Sequence, residues 1–363
     1  LWDKLSLLYK KISFKTSGLL RLLLCCGLMA VTLYGQSGRR SEPESAGQNT
    51  PPAGKPVDVL DDVLRVRTEE VMVPVSVRDV EGKPVNGLTA ERFLVYDNGV
   101  RQDLASFNRE RVPANIVLLL DASGSVFHQM RFIREAAQSF IEGLLKEDRV
   151  CVMQFADRVE LLQDWTSAAN AVELTKALEW RYHPGESTAF YDGLYLAAEE
   201  QLRKTEGRRI IILLTDGIDT AEVKRASLAE AVNSVRRAEA SVYVVSLTAS
   251  LREAVLRRTA GTFKRLLGGY DPKEVKRVLA LIDESEAKLE GLAAQTGGRM
   301  FLPRRDEELL PAYKAIAEEL RTQYILTYRP KPRVEAGQWR RLRVLVLPGG
   351  YEVAAREGYK GRT

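Results

Sequence analysis

The sequence predicts an α/β protein: a doubly wound, mostly parallel sheet with an antiparallel edge strand, inserted into a small β-sandwich-like domain formed by both chain ends. Three observations carry that expectation. The runs "NIVLLLD", "RVCVMQF", "RRIIILLTD" and "SVYVVSL" are almost continuously aliphatic, the pattern of strands covered by helices on both faces. Stretches with apolar residues at helical spacing lie between them, among them "SVFHQMRFIREAAQSFIEGLL" and "STAFYDGLYLAAEEQLRK". Extended segments with turn signals stand before and after this alternation. Each set is too short to be stable alone, so the two are expected to pair with each other.

In chain order, residues 1–35 read as a signal peptide, with an N-terminal anchor as the alternative. Lys4, Lys10, Lys11, Lys15 and Arg21 precede the apolar run "LLLCCGLMAVTLYG" at 22–35. As a helix that run would reach about 21 Å, short of a hydrocarbon core of ~30 Å, which favours cleavage. The chain is therefore expected to be exported, as a periplasmic, cell-surface or secreted protein. It would meet a membrane only through this segment, and only if the segment stays uncleaved. Of the three cysteines, Cys151 alone lies beyond the signal, which excludes an intramolecular disulfide and a Cys-based zinc site in the processed chain. Its setting, "RVCVMQF", is that of a small buried hydrophobe. Residues 36–57, rich in Pro, Gly and Ser, read as a disordered linker.

An N-terminal β module follows at 58–112. Val71, Val73, Val75 and Val77 alternate along one strand, with turns expected at Glu81-Gly82 and at Asp97-Asn98-Gly99. The α/β domain is expected at 113–323. Within it "RVELLQDW" follows "RVCVMQF" after only Ala156-Asp157, too short a link for a crossover helix, so it should form an antiparallel edge hairpin. Residues 252–288 read as a basic helical insertion; its interleaved acidic residues favour a solvated surface, with a basic surface for a partner as the alternative. A last helix at 306–323 carries Leu309, Tyr313, Ile316 and Leu320 on one stripe, with Asp306 as its expected N-cap. The segment 324–363 then holds three extended runs expected to pack with the N-terminal module.

The composition, 45% hydrophobic and 28% charged, is that of a soluble globular chain. The net charge of +5 comes from 54 basic and 49 acidic residues spread along the chain, so it does not point to a nucleic-acid partner.

In an open parallel sheet, functional groups gather at the carboxyl ends of the strands. Asp121 closes "NIVLLLD" and Asp216 closes "IILLTD", the strand expected beside it. Two carboxylates brought together there resist burial, so positive charge is expected between them. Ser123 and Ser125 lie on the side of Asp121 if the loop stays extended, and Gly124 permits close backbone approach. Hard oxygen donors of this kind suit Mg2+, which keeps several waters and so leaves positions open for an external oxygen ligand. Asp and Ser are also good helix caps, but the matched aspartate on a second strand favours a site.

A metal-dependent hydrolase or phosphotransferase using Asp121 as nucleophile is one alternative. That chemistry asks for a second acid two positions on, where this chain has Ser123. His128, one turn into the first helix, reads as a surface or packing residue, and His183 precedes Pro184 in a loop near the expected site. Neither a Gly-x-Ser-x-Gly elbow nor a phosphate-binding glycine loop is present. The chain is expected not to be an enzyme. A structural envelope scaffold with a vestigial metal site is the remaining alternative.

The segments "VLLLDASGS", "GESTAFYDGLYLA" and "IILLTDGIDT" resemble the three parts of the metal-ion-dependent adhesion site (MIDAS) of von Willebrand factor type A domains. The flanking segments, from "VMVPVSVRDVEGKPVNG" to "AAREGY", resemble an exported bacterial, acidobacterial-type family described as VWFA-related. The resemblance implies a Rossmann-like domain whose Asp121, Ser123, Ser125, Thr188 and Asp216 bind Mg2+, with Mn2+ or Ca2+ as alternatives. It also implies a protein partner that completes the ion's shell with an acidic residue. Gly185-Glu186-Ser187 departs from the family's common Gly-Gly-Thr form, and Ser187 competes with Thr188 for the ligand position. Asp192 is expected to be a helix-start residue or an acceptor that supports the site, not a ligand.

Overall fold

The computed structural model describes residues 70–109, 112–259 and 272–361; the signal or anchor, the linker and the first residues of the N-terminal module lie outside the described residues. Among the described residues no helix is long and apolar enough to cross a membrane.

Strand β1 (Val71–Arg78) buries Val71, Val73, Val75 and Val77, as the alternation predicts. The turn after it is held by Asp79, whose Oδ1 accepts from the Glu81 and Lys83 N–H groups. Strand β2 (Phe93–Asp97) meets β3 (Val100–Gln102) through Asn98-Gly99. The positive φ values there, 47° and 82°, give the backbone twist of a two-residue hairpin. β4 (Leu104–Asn108) follows after a single residue but belongs to a different sheet. What reads in sequence as one extended run is thus two strands, divided at Asp103.

The α/β domain runs through β5 (Ala114–Asp121), a 3-10 turn at Gly124–Gln129, α1 (Met130–Glu142), β6 (Arg149–Phe155), β7 (Val159–Ser167), α2 (Ala171–Arg181) and α3 (Phe190–Leu196). It continues with β8 (Arg208–Thr215), α4 (Leu228–Arg237), β9 (Ser241–Ser246), α5 (Thr248–Thr259), α6 (Pro272–Gln295), β10 (Met300–Phe301) and α7 (Leu309–Thr322). The six strands lie in the order β10-β9-β8-β5-β6-β7. All neighbours are parallel except β7, which is the antiparallel edge strand expected from the short link.

Successive residues of β5 point to opposite faces, and both faces are covered. Ile116, Leu118 and Leu120 pack in the cluster that contains Ile133 and Phe140 of α1, Leu174 of α2 and Tyr313 of α7. Val117 and Leu119 pack in the one that contains Leu194 of α3, Val235 of α4 and Leu289 of α6. This two-sided burial, about 1.5–3 kcal/mol for each large side chain, is why the runs are continuous and not alternating.

Two expectations are corrected. Leu309, Tyr313, Ile316 and Leu320 form the buried stripe of α7 as expected, but Asp306 is not its cap. A 3-10 turn at Asp306–Glu308 precedes the helix, and Asp306 Oδ1 accepts from Gln129 Nε2 at 2.8 Å instead. The segment 252–288 is helical in its described parts, yet it is not a wholly solvated surface. Ile282 and Ser285 of α6 are buried, and the helix continues inward through Leu289, Leu292 and Ala293.

After α7 the chain enters β11 (Tyr324–Tyr328), β12 (Trp339–Val346), β13 (Glu352–Ala354) and β14 (Gly358–Lys360). Two antiparallel four-stranded sheets result, β13-β1-β11-β4 and β14-β12-β2-β3, so strands from both chain ends interleave in each. Val73 lies opposite Leu326 and Val95 opposite Val344, and all four are in one core. Arg78 of β1 pairs with Glu319 of α7 at 2.9 Å, and Tyr243 of β9 donates to the same carboxylate at 3.1 Å. This buried junction fastens the antiparallel sheets to the α/β domain.

Candidate metal centre

Asp121 is the last residue of β5, and Asp216 is the first residue beyond β8. The parallel ladder of the two strands pairs Leu120 with Leu214, which brings their carboxyl ends side by side. Both carboxylates are buried, Asp121 completely. Thr215 Oγ1 donates to Asp121 Oδ2 at 2.7 Å, and the Ser123 N–H donates to Oδ1 at 2.9 Å. Ser123 Oγ and Ser125 Oγ lie 2.9 Å apart. Asp216 Oδ1 accepts from the Ile218 N–H at 3.0 Å.

Thr188 lies on a loop tied at several points. The Gly185 N–H donates to the Ala122 carbonyl at 2.8 Å. Asp157 accepts from the Glu186 and Ser187 N–H groups and from the Ser187 hydroxyl, the last at 2.7 Å. The Thr188 N–H donates to Thr220 Oγ1 at 2.7 Å, and its carbonyl accepts from the Thr220 and Ala221 N–H groups. Asp157 therefore occupies Ser187, while Thr188 stands buried against the loop that follows β8.

That second loop depends on Gly217. Its φ is +71°, and a Cβ there would lie 2.4 Å from Ser285 Oγ, so both the left-handed backbone and the approach of α6 require glycine. Ser285 Oγ donates to the Asp216 carbonyl at 2.5 Å. Asp192 stands in the first turn of α3 and accepts from the Arg225 and Ala226 N–H groups, each at 2.9 Å, so it is both a helix-start residue and an acceptor. Asp219 accepts from the Tyr191 N–H and pairs with Lys224 at 2.6 Å. Asp157, Thr215, Asp219, Thr220 and Ser285 are not among the residues expected at the site from sequence. The repeated Asp and Thr of "TDGIDT" hint at the middle three; nothing local marks Asp157 or Ser285.

Burial pushes the Asp121 carboxyl up to about 7, helped by the Asp216 charge and opposed by the hydrogen bonds from Ser123 and Thr215. Burial also raises Asp216, opposed by the Ile218 N–H and the Ser125 hydroxyl. Among the described residues no Lys or Arg forms an ion pair with either. Two desolvated carboxylates beside neutral hydroxyls make a donor set that fits a hard divalent cation. Among the described residues no group of three or more His, Cys, Asp or Glu is placed to hold a metal, so a site here draws on hydroxyl oxygens. His128 and His183 are both exposed, and His183 Nε2 lies 2.8 Å from the Trp180 carbonyl.

The sequence model of the von Willebrand factor type A domain family matches residues 115–266. That match covers a little under half of the chain. An uncharacterized protein of Synechocystis is 35% identical over 109 residues, 30% of this chain and 26% of that protein, so the match spans about a quarter of the curated relative's length. Among solved structures, the chain is similar to proximal thread matrix protein 1 from the mussel byssus. The identity is 17%, the TM-score 0.44 and the coverage 62% of this chain and 51% of that one; a further structure of the mussel protein has a zinc-occupied MIDAS motif. A von Willebrand factor type A protein from Catenulispora acidiphila is 13% identical with a TM-score of 0.41, covering 82% of this chain and 74% of that one.

Proposed function

We propose that this chain is an exported, non-catalytic protein-interaction module of the bacterial VWFA-related kind. In this reading it docks an acidic residue of a protein partner at a divalent ion held by Asp121, Ser123, Ser125, Thr188 and Asp216. The observation that carries the reading is the pair of buried carboxylates, Asp121 and Asp216, on adjacent strand ends, with which no Lys or Arg among the described residues forms an ion pair. A bound Mg2+ would supply the missing positive charge and an open coordination position for an external carboxylate oxygen. Mn2+ and Ca2+ are the alternative ions.

The chain's own groups hold this arrangement ready. Thr215 and the Ser123 N–H orient Asp121. Asp157 takes the Ser187 hydroxyl, which supports Thr188 over Ser187 as the ligand from this loop. Ser123 occupies the position at which a phosphotransferase of this sheet type needs a second acid, which supports a docking role over a chemical one. The export segment at 1–35 supports a periplasmic, cell-surface or secreted place of action.

Calorimetric titration of Mg2+ into the chain tests the reading, with Mn2+ and Ca2+ in parallel. One saturable site is expected, lost in Asp121→Ala and weakened less in Ser123→Ala, where water replaces one neutral ligand. A parent chain that binds none of the three ions refutes it. Export is checked by fractionation of native cells, and a cytoplasmic protein would remove that part of the proposal.

A further inference from the structure

We propose that the groove between the β7 edge and the C-terminal end of α2 is a second subsite for the partner, taking an aromatic or bulky aliphatic side chain that neighbours a carboxylate. The proposal rests on the ion-docking reading in one respect, that the partner segment is acidic.

The groove is a cavity of about 590 Å³ lined by Arg158, Glu160, Leu161, Trp180, Arg181 and His183. Trp180 is 75% exposed and Leu161 40%. Single exposed apolar residues are ordinary, but an indole and a leucine that share one concave surface form an apolar anchor point. The charge around it is unbalanced. Arg158 pairs with Glu160, whose other oxygen accepts from Gln154 Nε2 at 2.9 Å. Arg181 donates to the carbonyls of Leu161 and Leu162, so its guanidinium is held in place while its charge meets no carboxylate among the described residues. Two arginines against one glutamate leave the groove positive, which complements an acidic ligand.

The same two hydrogen bonds determine how a ligand is read. β7 is an edge of the six-stranded sheet, and edges commonly recruit an added strand. Arg181 occupies successive β7 carbonyls at the groove, so recognition there goes through side chains. The groove also adjoins the ion site through one fixed loop. The His183 N–H donates to Gln154 Oε1 at 3.1 Å, and the Gly185 N–H bonds the Ala122 carbonyl, between Asp121 and Ser123, at 2.8 Å. Thr188 stands at the far end of this loop. The proposed ligand sets one carboxylate at the ion and an apolar side chain against Trp180.

The test is to pan a random peptide display library on the full chain, in Mg2+ and in parallel with chelator, and to titrate the enriched peptides calorimetrically. Peptides that pair Asp or Glu with Trp, Phe or Leu are expected. Trp180→Ala should weaken them roughly thirtyfold, the loss typical of a central aromatic contact. Leu161→Glu should weaken them through like-charge repulsion, and neither variant should change Mg2+ binding. Enriched peptides that bind both variants as tightly as the parent, or a selection without this composition, would overturn the groove. Trp180-sensitive binding that persists in chelator keeps the groove and sinks the ion-docking reading. Mg2+-dependent binding indifferent to Trp180 and Leu161 does the reverse.

Discussion

Replacing Asp121 by Asn removes a buried charge at nearly constant shape, and its effect on stability has a calculable sign. In the folded chain the Asp121 carboxyl is pushed up to about 7, against an ordinary aspartate value near ~3.9 in the unfolded chain. Between those values the unfolded chain ionises while the folded one keeps its proton. The contribution is therefore fully present below about pH 4 and lost as the pH rises to about 7. Roughly three pH units at 1.36 kcal/mol each make a loss on the order of 4 kcal/mol in the metal-free protein. Asn cannot ionise and escapes this loss. It gives part of it back, because Thr215 Oγ1, which donates to Asp121 Oδ2 and accepts from the Gly217 N–H, would face an amide N–H. That mismatch costs about 1 kcal/mol.

Asp121→Asn should thus be about 3 kcal/mol more stable than the parent at pH 8 in chelator, and about 1 kcal/mol less stable at pH 4. Urea denaturation at pH 4, 6 and 8 measures both. In Mg2+ the order should reverse at pH 8 once the ion binds the parent tightly enough, because only the parent gains from preferential binding to the folded state. A variant less stable than the parent at pH 8 in chelator would show that the carboxylate pair is not under electrostatic stress, and the case for a cation between them would fall.

Other consequences follow from particular contacts. Gly217→Ala forces a side chain into a left-handed backbone against Ser285, so thermal unfolding should show a loss of more than about 1 kcal/mol, with Mg2+ binding impaired; an unchanged melting temperature would contradict the packing of α6 on this loop. Arg78→Met leaves Glu319 buried without its closest cation, and chemical denaturation should register a loss of about 3–5 kcal/mol. A loss under ~1 kcal/mol would mean that the junction does not fasten the two parts. Cys151 is fully buried and its thiol is pushed up to about 12 by burial and the Asp164 charge, so a thiol reagent at pH 8 should react only after denaturation; fast labelling of the native chain would refute this.

Much of the molecule was legible in sequence because the relevant physics is periodic and local. The aliphatic runs of β5, β6, β8 and β9 announce strands buried on both faces, and a two-residue gap before β7 admits only a hairpin. Asn98-Gly99 encodes its own turn through φ. Asp121-x-Ser123-x-Ser125 is a single loop, so its grouping follows from spacing, and the pairing of the chain ends follows from the insufficiency of either alone. What only the tertiary structure decided are choices among chemically similar neighbours, made by partners distant in sequence. Ser187 and Thr188 are equivalent on paper until Asp157, from another loop, takes one of them. Asp306 has every local quality of a cap and is instead an acceptor for Gln129, from the turn before α1. Ser285 sits in a charge-rich segment that looks solvated, and it is buried where Gly217 lets α6 approach the loop beyond β8. A sequence window carries the propensity of its own residues, whereas a polar group's partner is fixed by which other chain segments the completed core brings within hydrogen-bonding reach.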